Sequence, residues 1–306
     1  VMTNGGKLIC NSLALGNTGT NTFTSGSGTV ELTATNTLPA TIFTQFNNLI
    51  ISGGKTTTGR ALTIASLTVK SADEFVLAHA VTANAVSLEA GCEVTGAIVS
   101  GTSTLTLGGN VTVKDNTGGT AGAVISCPVD LNNDRTFTIA DDGTTAADLT
   151  ISGIISGSSD DITKLGLGTL VLSAANTFSG KTSVTEGTLT LEVADALGGT
   201  SEVNLLGGKL VNLAASQIVD AILDVDKDSS IDLGTGSLTF NDSTGKTWDD
   251  DSNVLTTLTI YGWTGLDGSG QFFIKDKSDG TSGINSEQLS QIKFSGYGTC
   301  GATIID

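Results

Sequence analysis

The stretch TKLGLGTLVLSAANTFSGKTSVTEGTLTLEVADALGG, residues 163–199, decides how this chain is interpreted. It contains two short alternating segments, Leu170/Leu172 and Leu189/Leu191, each preceded by a Gly-Thr pair. Alternation with a period of two places both leucines of a pair on one face of a β-strand. The second segment follows the first after 19 residues, which is too short for a β-α-β crossover. The stretch therefore predicts one coil of a β-solenoid, in which each coil buries its apolar face against the next.

The same stretch resembles a known repeat. The segment GLGTLVLSAANTFSGKTSVTEGTLTL (166–191) is similar to the autotransporter-associated β-strand repeat of long bacterial surface proteins. The similarity extends upstream through LNNDRTFTIADDGTTAADLTISGIISG (131–157) and downstream through GGKLVNL (207–213). The resemblance implies a secreted, passenger-type, right-handed parallel β-helix of the all-β class, and it implies no catalytic activity.

Alternating apolar pairs recur outside this stretch. Their first residues are separated by 18–24 residues, a near-constant step that is typical of stacked coils. They predict a parallel β-helix over residues 1–243 and a small C-terminal cap over residues 244–306. The predicted inward pairs are Val30/Leu32, Leu49/Ile51, Leu67/Val69, Val86/Leu88, Leu105/Leu107, Val129/Leu131, Leu149/Ile151, Leu170/Leu172, Leu189/Leu191, the weaker Leu210/Asn212, and Ile231/Leu233.

The predicted cap has features of its own. Asn285 or Ser286 is a candidate N-cap of a short helix. Apolar residues would lie on one side of that helix: Ile284, Leu289 and Ile292. The main concentration of exposed aromatic candidates also falls in this region: Tyr261, Trp263 and Tyr297.

Composition narrows the functional classes. The 306 residues include 40 glycines and 2 prolines, which fits many turns formed by Gly and Asn between short strands. The formal net charge of −17 argues against a nucleic-acid partner, which needs a basic patch, and against attraction to anionic lipid. No apolar run reaches the ~20 residues of a membrane helix, so no direct membrane insertion is expected. The sequence opens on polar residues without a signal peptide, so a secreted form is expected to be a mature or trimmed chain.

The chain lacks an evident catalytic set. Glycan-cleaving β-helix enzymes need clustered carboxylates with a nearby histidine and basic residues for an acidic sugar. This sequence has one histidine, His79, and two arginines, Arg60 and Arg135. Its acidic pair Asp141-Asp142 precedes a glycine and is interpreted as a turn. We therefore expect no enzymatic activity and no organic cofactor.

One acidic set invites a calcium interpretation: Asp224, Asp226, Asp228 and Asp232. It departs from an EF-hand loop, because Ser229 stands where glycine belongs. On a strand, Asp224, Asp226 and Asp228 would share one solvent-exposed face, with their apolar neighbours facing inward. A solvated acidic face is the preferred interpretation, and weak Ca²⁺ binding is the alternative.

The cysteines are Cys10, Cys92, Cys127 and Cys300, and they show no CxxC spacing for zinc. An even number in a secreted chain permits disulfides. Cys10 and Cys300 are expected to lie too far apart to bond within one chain, because a disulfide needs Cα atoms within about 7 Å, but they could bond between stacked subunits. Cys92 and Cys127 would pair internally or stay reduced, and free buried thiols are the alternative throughout.

The sequence is consistent with three different functions. The preferred one is an extracellular structural protein, a head-to-tail self-assembling subunit of a bacterial surface fibre or stalk, because the open ends of a solenoid carry unpaired backbone groups. The second is an adhesin-type passenger that binds host or neighbour-cell ligands, including glycans. A polysaccharide-active β-helix enzyme is the third. Exposed aromatic or charged clusters on one flank would favour the adhesin.

Overall fold

The computed structural model describes residues 5–14, 23–91, 95–115, 120–141, 143–144, 146–214, 216–219, 221–250, 252–264, 270–276 and 282–296. The chain divides into two compact units, Val1–Ser156 and Gly157–Asp306. Within each unit, strands pair in parallel with the equivalent strand of the next coil. The predicted all-β solenoid is therefore confirmed.

The first unit consists of short strands. They are β1 (Lys7–Cys10), β2 (Thr29–Leu32), β3 (Asn36–Thr37), β4 (Gln45–Ile51), β5 (Lys55–Thr57), β6 (Leu62–Val69), β7 (Glu74–Leu77), β8 (Val81–Ala83), β9 (Val86–Glu89), β10 (Ile98–Gly101), β11 (Leu105–Leu107), β12 (Val111–Lys114), β13 (Ala123–Ile125), β14 (Val129–Asp130), β15 (Arg135–Ile139), β16 (Leu149–Ile151) and β17 (Ile155–Ser156).

The early coils of this unit follow the predicted step. Val30, Leu49, Leu67 and Val86 lie opposite one another on β2, β4, β6 and β9. All four are buried, as are their partners two residues further along each strand. Apolar stacking between consecutive coils therefore forms the core here, as the alternation predicted.

The later coils of the first unit are longer than predicted. Val86 is followed in its row by Val111, 25 residues on, and not by Leu105. Leu105 is buried as predicted, but it lies in a separate row with Val81 and Val129. The cause is β6, which is long enough to pair with both β8 and β9. The three coils that follow in this unit each contribute three strands, namely β7 to β9, β10 to β12 and β13 to β15.

The second unit contains the remaining strands. They are β18 (Ile162–Leu165), β19 (Thr169–Leu172), β20 (Thr182–Val184), β21 (Thr188–Leu191), β22 (Glu202–Leu206), β23 (Lys209–Asn212), β24 (Ser216–Ile218), β25 (Ile222–Lys227), β26 (Ser229–Asp232), β27 (Ser237–Phe240), β28 (Leu258–Tyr261), β29 (Gln271–Ile274) and β30 (Ile292–Phe294). One helix, α1 (Ser286–Gln291), is present among the described residues.

The predicted pairs stack in register in this unit. Leu170, Leu189, Leu210 and Ile231 lie opposite one another on β19, β21, β23 and β26, and the row continues to Ile260 on β28. All are buried. The weak member of the series, Asn212, is also buried, and its side-chain amide donates to the carbonyl oxygens of Ala214 (3.1 Å) and Ser237 (3.3 Å). These hydrogen bonds offset the cost of burying the NH₂ group, whereas Asn212 Oδ1 is buried without a hydrogen-bond partner among the described residues.

Ser243, Trp248 and Thr256 cover the outer edge of β25, and α1 packs against the segment that carries them. The Leu223 N–H donates to Ser243 Oγ (3.0 Å), the Trp248 indole donates to the Leu223 carbonyl (3.3 Å), and the Thr256 hydroxyl donates to the Val225 carbonyl (2.7 Å). An edge strand whose backbone groups are satisfied in this way is no longer a template for another chain. Parallel pairing also continues beyond residue 244, since β26 pairs with β28.

Helix α1 begins as predicted at the N-cap Asn285. The Asn285 side chain accepts from the Gln288 N–H, and the Gln288 side chain accepts from the Asn285 N–H, which forms a capping box. The buried residues of the helix are Gln288 and Gln291, whereas Leu289 is only half-buried. The glutamine amides are buried because they donate to carbonyl oxygens of the covering segment, including those of Ser243 (2.8 Å) and Thr256 (2.9 Å). Within the described part of the chain, no helix is long and apolar enough to cross a membrane.

Candidate functional site: a polar groove on the second unit

A polar groove lies on the outer face of the sheet formed by β21, β23, β26, β28 and β30. Its volume is about 450 Å³. It is lined by Gly187, Gly207, Gly208, Lys209, Asp228, Ser229, Ser230, Thr257, Thr259, Tyr261 and Lys293. Because strand residues alternate between faces, the apolar rows described above form the wall behind it.

The centre of the groove is a row of four polar side chains. Lys209, Ser230, Thr259 and Lys293 are consecutive partners across β23, β26, β28 and β30. Neighbouring strands lie about 4.8 Å apart, so the row spans about 14 Å between its terminal Cα atoms. It carries one ammonium group at each end and two hydroxyl groups between them.

The two lysines differ in their partners. Lys209 Nζ lies 2.9 Å from Asp232 Oδ2 and 5.7 Å from the centre of the Tyr261 ring. Burial raises the pKa of Asp232, but the hydrogen bonds from Lys209 and from the Gly234 N–H outweigh it and hold that pKa below its usual value. Lys293 Nζ donates to Thr257 Oγ1 (3.3 Å) and forms no ion pair with any described residue.

Glycines on one side of the groove are required by close packing against the preceding coil. Gly187 and Gly207 adopt positive φ angles of 62° and 112°, a conformation that L side chains rarely adopt. A Cβ atom at Gly208 would lie 2.5 Å from Val184 Cγ1. The Asp228 carboxylate accepts the Thr257 N–H at 2.7 Å and is thereby fixed at the rim. An open cleft with hydroxyls, ammonium groups and a half-exposed phenol ring suits a polar ligand.

The predicted acidic set is not gathered at one site. Leu223 and Val225 face inward as predicted, but Asp224 is also buried, because Lys246 covers it with a 2.8 Å ion pair. Asp228 follows a register irregularity at the end of β25 and lies in the groove instead. Among the described residues, no group of three His, Cys, Asp or Glu side chains could hold a metal ion. The expectation of a solvated face is therefore wrong for Asp224, which is buried, whereas Asp228 is exposed as expected.

Lys246 forms the centre of an ionic network outside the groove. Its ammonium lies 2.7 Å from Glu202 and 2.8 Å from Asp224, and Lys181 also reaches Glu202 at 3.2 Å. Burial raises the pKa of Glu202, but the two lysines outweigh it and lower the pKa overall. Burial lowers the pKa of Lys246, but its two carboxylate partners outweigh this and raise it. Burial, then the charge of Asp224, raises the pKa of the neighbouring Asp226.

Two of the four cysteines can be described. Cys10 is half-buried on β1 and Cys127 is fully buried, and both are free thiols. Burial raises the pKa of both, that of Cys127 to about 12. Cys92 and Cys300 lie outside the described residues. The Cys10–Cys300 and Cys92–Cys127 pairings therefore stay predictions.

The aromatic residues of the predicted cap occupy different places. Tyr261 lines the groove with 42% of its surface exposed, whereas Trp263 packs against Phe294 with ring centres 4.8 Å apart. Tyr297 lies outside the described residues.

The sequence interpretation missed Lys209, Ser230, Thr259 and Lys293. The first two could have been found, because each directly precedes a predicted inward residue and must face outward.

Two comparisons with known proteins match parts of the chain. Residues 162–191 match the passenger-associated-transport-repeat family, and that span coincides with β18 to β21. The chain is 35% identical over 99 residues to the adhesin BmaC autotransporter of Brucella suis biovar 1 (strain 1330). The aligned part is 31% of this chain and 3% of that protein, so the chain spans a small fraction of its relative. No solved structure matches.

The bounds of the family match coincide with strand bounds. The repeat begins at the first residue of β18 and ends at the last residue of β21. This chain is therefore a β-solenoid in which residues 162–191 match the passenger-associated transport repeat, as the resemblance of that stretch predicted.

Proposed function

We propose that this chain serves as a non-enzymatic, extracellular surface passenger with an adhesin-type role. The observation that carries the proposal is the coincidence of the passenger repeat with the stacked coils from β18 to β21. The adhesin relative supports the same role. The polar groove offers a surface on which a ligand could be held.

Adhesion by the purified chain tests this proposal. Fluorescent beads coated with the chain should bind cultured epithelial cells, or a layer of bacteria, in larger numbers than control beads. The control coating is an unrelated protein of similar negative charge, because repulsion alone alters bead binding. Equal binding of both bead types on every surface would overturn the adhesin-type role.

The non-enzymatic part of the proposal has its own support. His79 is exposed in a turn, where its backbone N–H donates to Thr58 Oγ1 at 2.9 Å. The Arg135 guanidinium is buried and donates to the Leu107 carbonyl at 2.6 and 3.0 Å. Neither lines the groove. Incubation of the chain with a panel of polyuronides should therefore release no reducing or unsaturated sugar ends. Release of such ends that is abolished by Asp142→Ala would contradict the absence of catalysis. Asp142 lies outside the described residues.

A second proposal is head-to-tail self-association into a surface fibre or stalk, and strand β1 favours it. Among the described strands, β1 pairs only with β2, along one edge. Leu8 and Ile9 on β1 are 40% and 59% exposed. An edge strand with exposed apolar side chains is a template for pairing with another chain.

Sedimentation velocity tests the fibre proposal. The chain should form larger species as its concentration rises, and Ile9→Lys should suppress them, because an edge charge blocks strand addition. Leu213→Lys is the matched control, since Leu213 is similarly exposed (54%) but lies beyond the end of a paired strand. A monomer at all concentrations, without a Cys10–Cys300 cross-link on non-reducing electrophoresis and peptide mapping, would contradict self-association.

A further inference from the structure

We propose that the polar groove binds a carboxylated saccharide, with Lys293 as the carboxylate partner and Tyr261 as the ring platform. This inference rests on the adhesin-type function proposed above and gives it a site and a ligand class. It places the ligand along the row of Lys209, Ser230 and Thr259 that ends at Lys293.

The charge argument concerns Lys293. The ammonium of Lys209 is already paired with Asp232, and the carboxylate of Asp228 is held by a backbone N–H. Lys293 is exposed, and its hydrogen bond to Thr257 Oγ1 at 3.3 Å is long. It is the groove cation without an acidic partner among the described residues. An ammonium in this position gains a charge-assisted hydrogen bond when a carboxylate arrives.

The remaining groove groups suit a sugar. The Ser230 and Thr259 hydroxyls can each donate and accept, as can the hydroxyls of a saccharide. The Tyr261 ring is 42% exposed and presents an apolar surface on which a sugar ring can rest. The Lys209 ammonium, 5.7 Å from the ring centre, helps to hold that ring in place through a cation–π contact.

The same geometry disfavours other ligand classes. A nucleic acid requires many phosphate contacts, but only two lysines line the groove of a chain with a net charge of −17. A peptide bound by strand addition requires a free strand edge. β30 ends this sheet, but the row from Lys209 to Lys293 runs across the faces of the strands and the groove is lined from those faces.

Calorimetric titration of the full chain with tetragalacturonate and with maltotetraose tests the proposal. The acidic tetramer should bind, the neutral one should bind at least about tenfold more weakly, and added salt should reduce the difference. Lys293→Gln and Tyr261→Ala should each weaken binding of the acidic tetramer by about tenfold, the loss expected for one charge-assisted hydrogen bond or one ring contact. The control Lys55→Gln should leave binding unchanged, because Lys55 is an exposed strand lysine of the first unit that pairs with Glu74.

The possible results distinguish a failure of the groove assignment from a failure of the proposed adhesin-type function. Binding of the neutral tetramer alone, absence of binding to both, or equal binding by Lys293→Gln and the unaltered chain would overturn the groove assignment. Circular dichroism of each variant should match that of the unaltered chain, so that weaker binding cannot be caused by a lost fold. Bead adhesion by the unaltered chain that persists in the Lys293→Gln/Tyr261→Ala variant would overturn the groove alone, whereas no adhesion by the unaltered chain would overturn the proposed function itself.

Discussion

Replacement of Lys246 by methionine should destabilise the second unit strongly. Methionine keeps most of the length and the apolar part of the side chain but removes the ammonium. That ammonium lies 2.7 Å from Glu202 and 2.8 Å from Asp224, and both carboxylate side chains are only 9% exposed. Lys246→Met therefore leaves two nearly buried carboxylates without their shared cation.

The size of the loss follows from this burial. Removing one partner of a buried ion pair costs about 3–5 kcal/mol. Two features reduce it here, because Lys246 is itself 26% exposed and Lys181 still reaches Glu202. We expect a loss of about 2–3 kcal/mol in the free energy of unfolding at pH 7. Lys55→Met is the matched control; its pair with Glu74 is 52% and 27% exposed, so its loss should stay below about 1 kcal/mol.

The difference in unfolding free energy between the variants is measured by urea unfolding. The signal is the fluorescence of Trp248, which is buried two residues from Lys246. The pKa of Glu202 is lowered in the folded state, so its contribution is present above the unfolded pKa and is lost as pH falls through the folded pKa. The pKa of Asp226 is raised in the folded state, so its charged form destabilises the fold and its protonation at lower pH removes that cost. The gap in unfolding free energy between the unaltered chain and Lys246→Met should therefore narrow as the pH falls below the ordinary pKa of a glutamate and through the lowered pKa of Glu202.

Equal losses for Lys246→Met and Lys55→Met would refute the reasoning, as would a gap that stays constant with pH. A partial recovery on adding Asp224→Asn to Lys246→Met would support it, because that change removes one of the two uncompensated charges.

Three further changes test the coils by urea unfolding. Leu172→Asp should cost about 4 kcal/mol or more, because it buries an unpaired charge at a side chain that is 1% exposed, and a smaller loss would argue against the apolar row. Gly153→Ala should cost about 2 kcal/mol, since its Cβ would lie 1.8 Å from the Cys127 carbonyl oxygen of the previous coil; Gly245→Ala, with open space around it, is the control. Lys164→Met should cost about 2 kcal/mol, because three carbonyl oxygens at 2.6–3.1 Å lose their ammonium donor, and a neutral or stabilising result would contradict that role.

The sequence predicted the fold because its signal is local. Alternation places Leu170 and Leu189 inward whatever lies around them, and a regular step stacks them. The series failed at Leu105, because a step of 19 residues after Val86 matched the earlier coils by chance, whereas the true partner is Val111. A period of two identifies a buried face, but it does not distinguish between several faces of one coil.

The groove could be predicted only in part. Lys209 and Ser230 precede inward residues of the recognised series, so their outward position follows from alternation. Thr259 and Lys293 join the same row only after 29 and 34 further residues, and no regular step leads to them. The burial of Asp224 was missed for a similar reason, because its partner Lys246 comes from a segment without strand periodicity.

A disulfide across the groove row tests the central claim that its polar side chains come from stacked coils in register. Ser230 and Thr259 are Cα partners on β26 and β28, about 4.8 Å apart, which suits a disulfide. Ser230→Cys/Thr259→Cys should therefore form a cross-link under mild oxidation, identified by peptide mass mapping against the native cysteines. Lys209→Cys/Thr259→Cys, two strand spacings apart, should not. The reverse result, or no cross-link in either variant, would contradict the register on which both the fold and the groove depend.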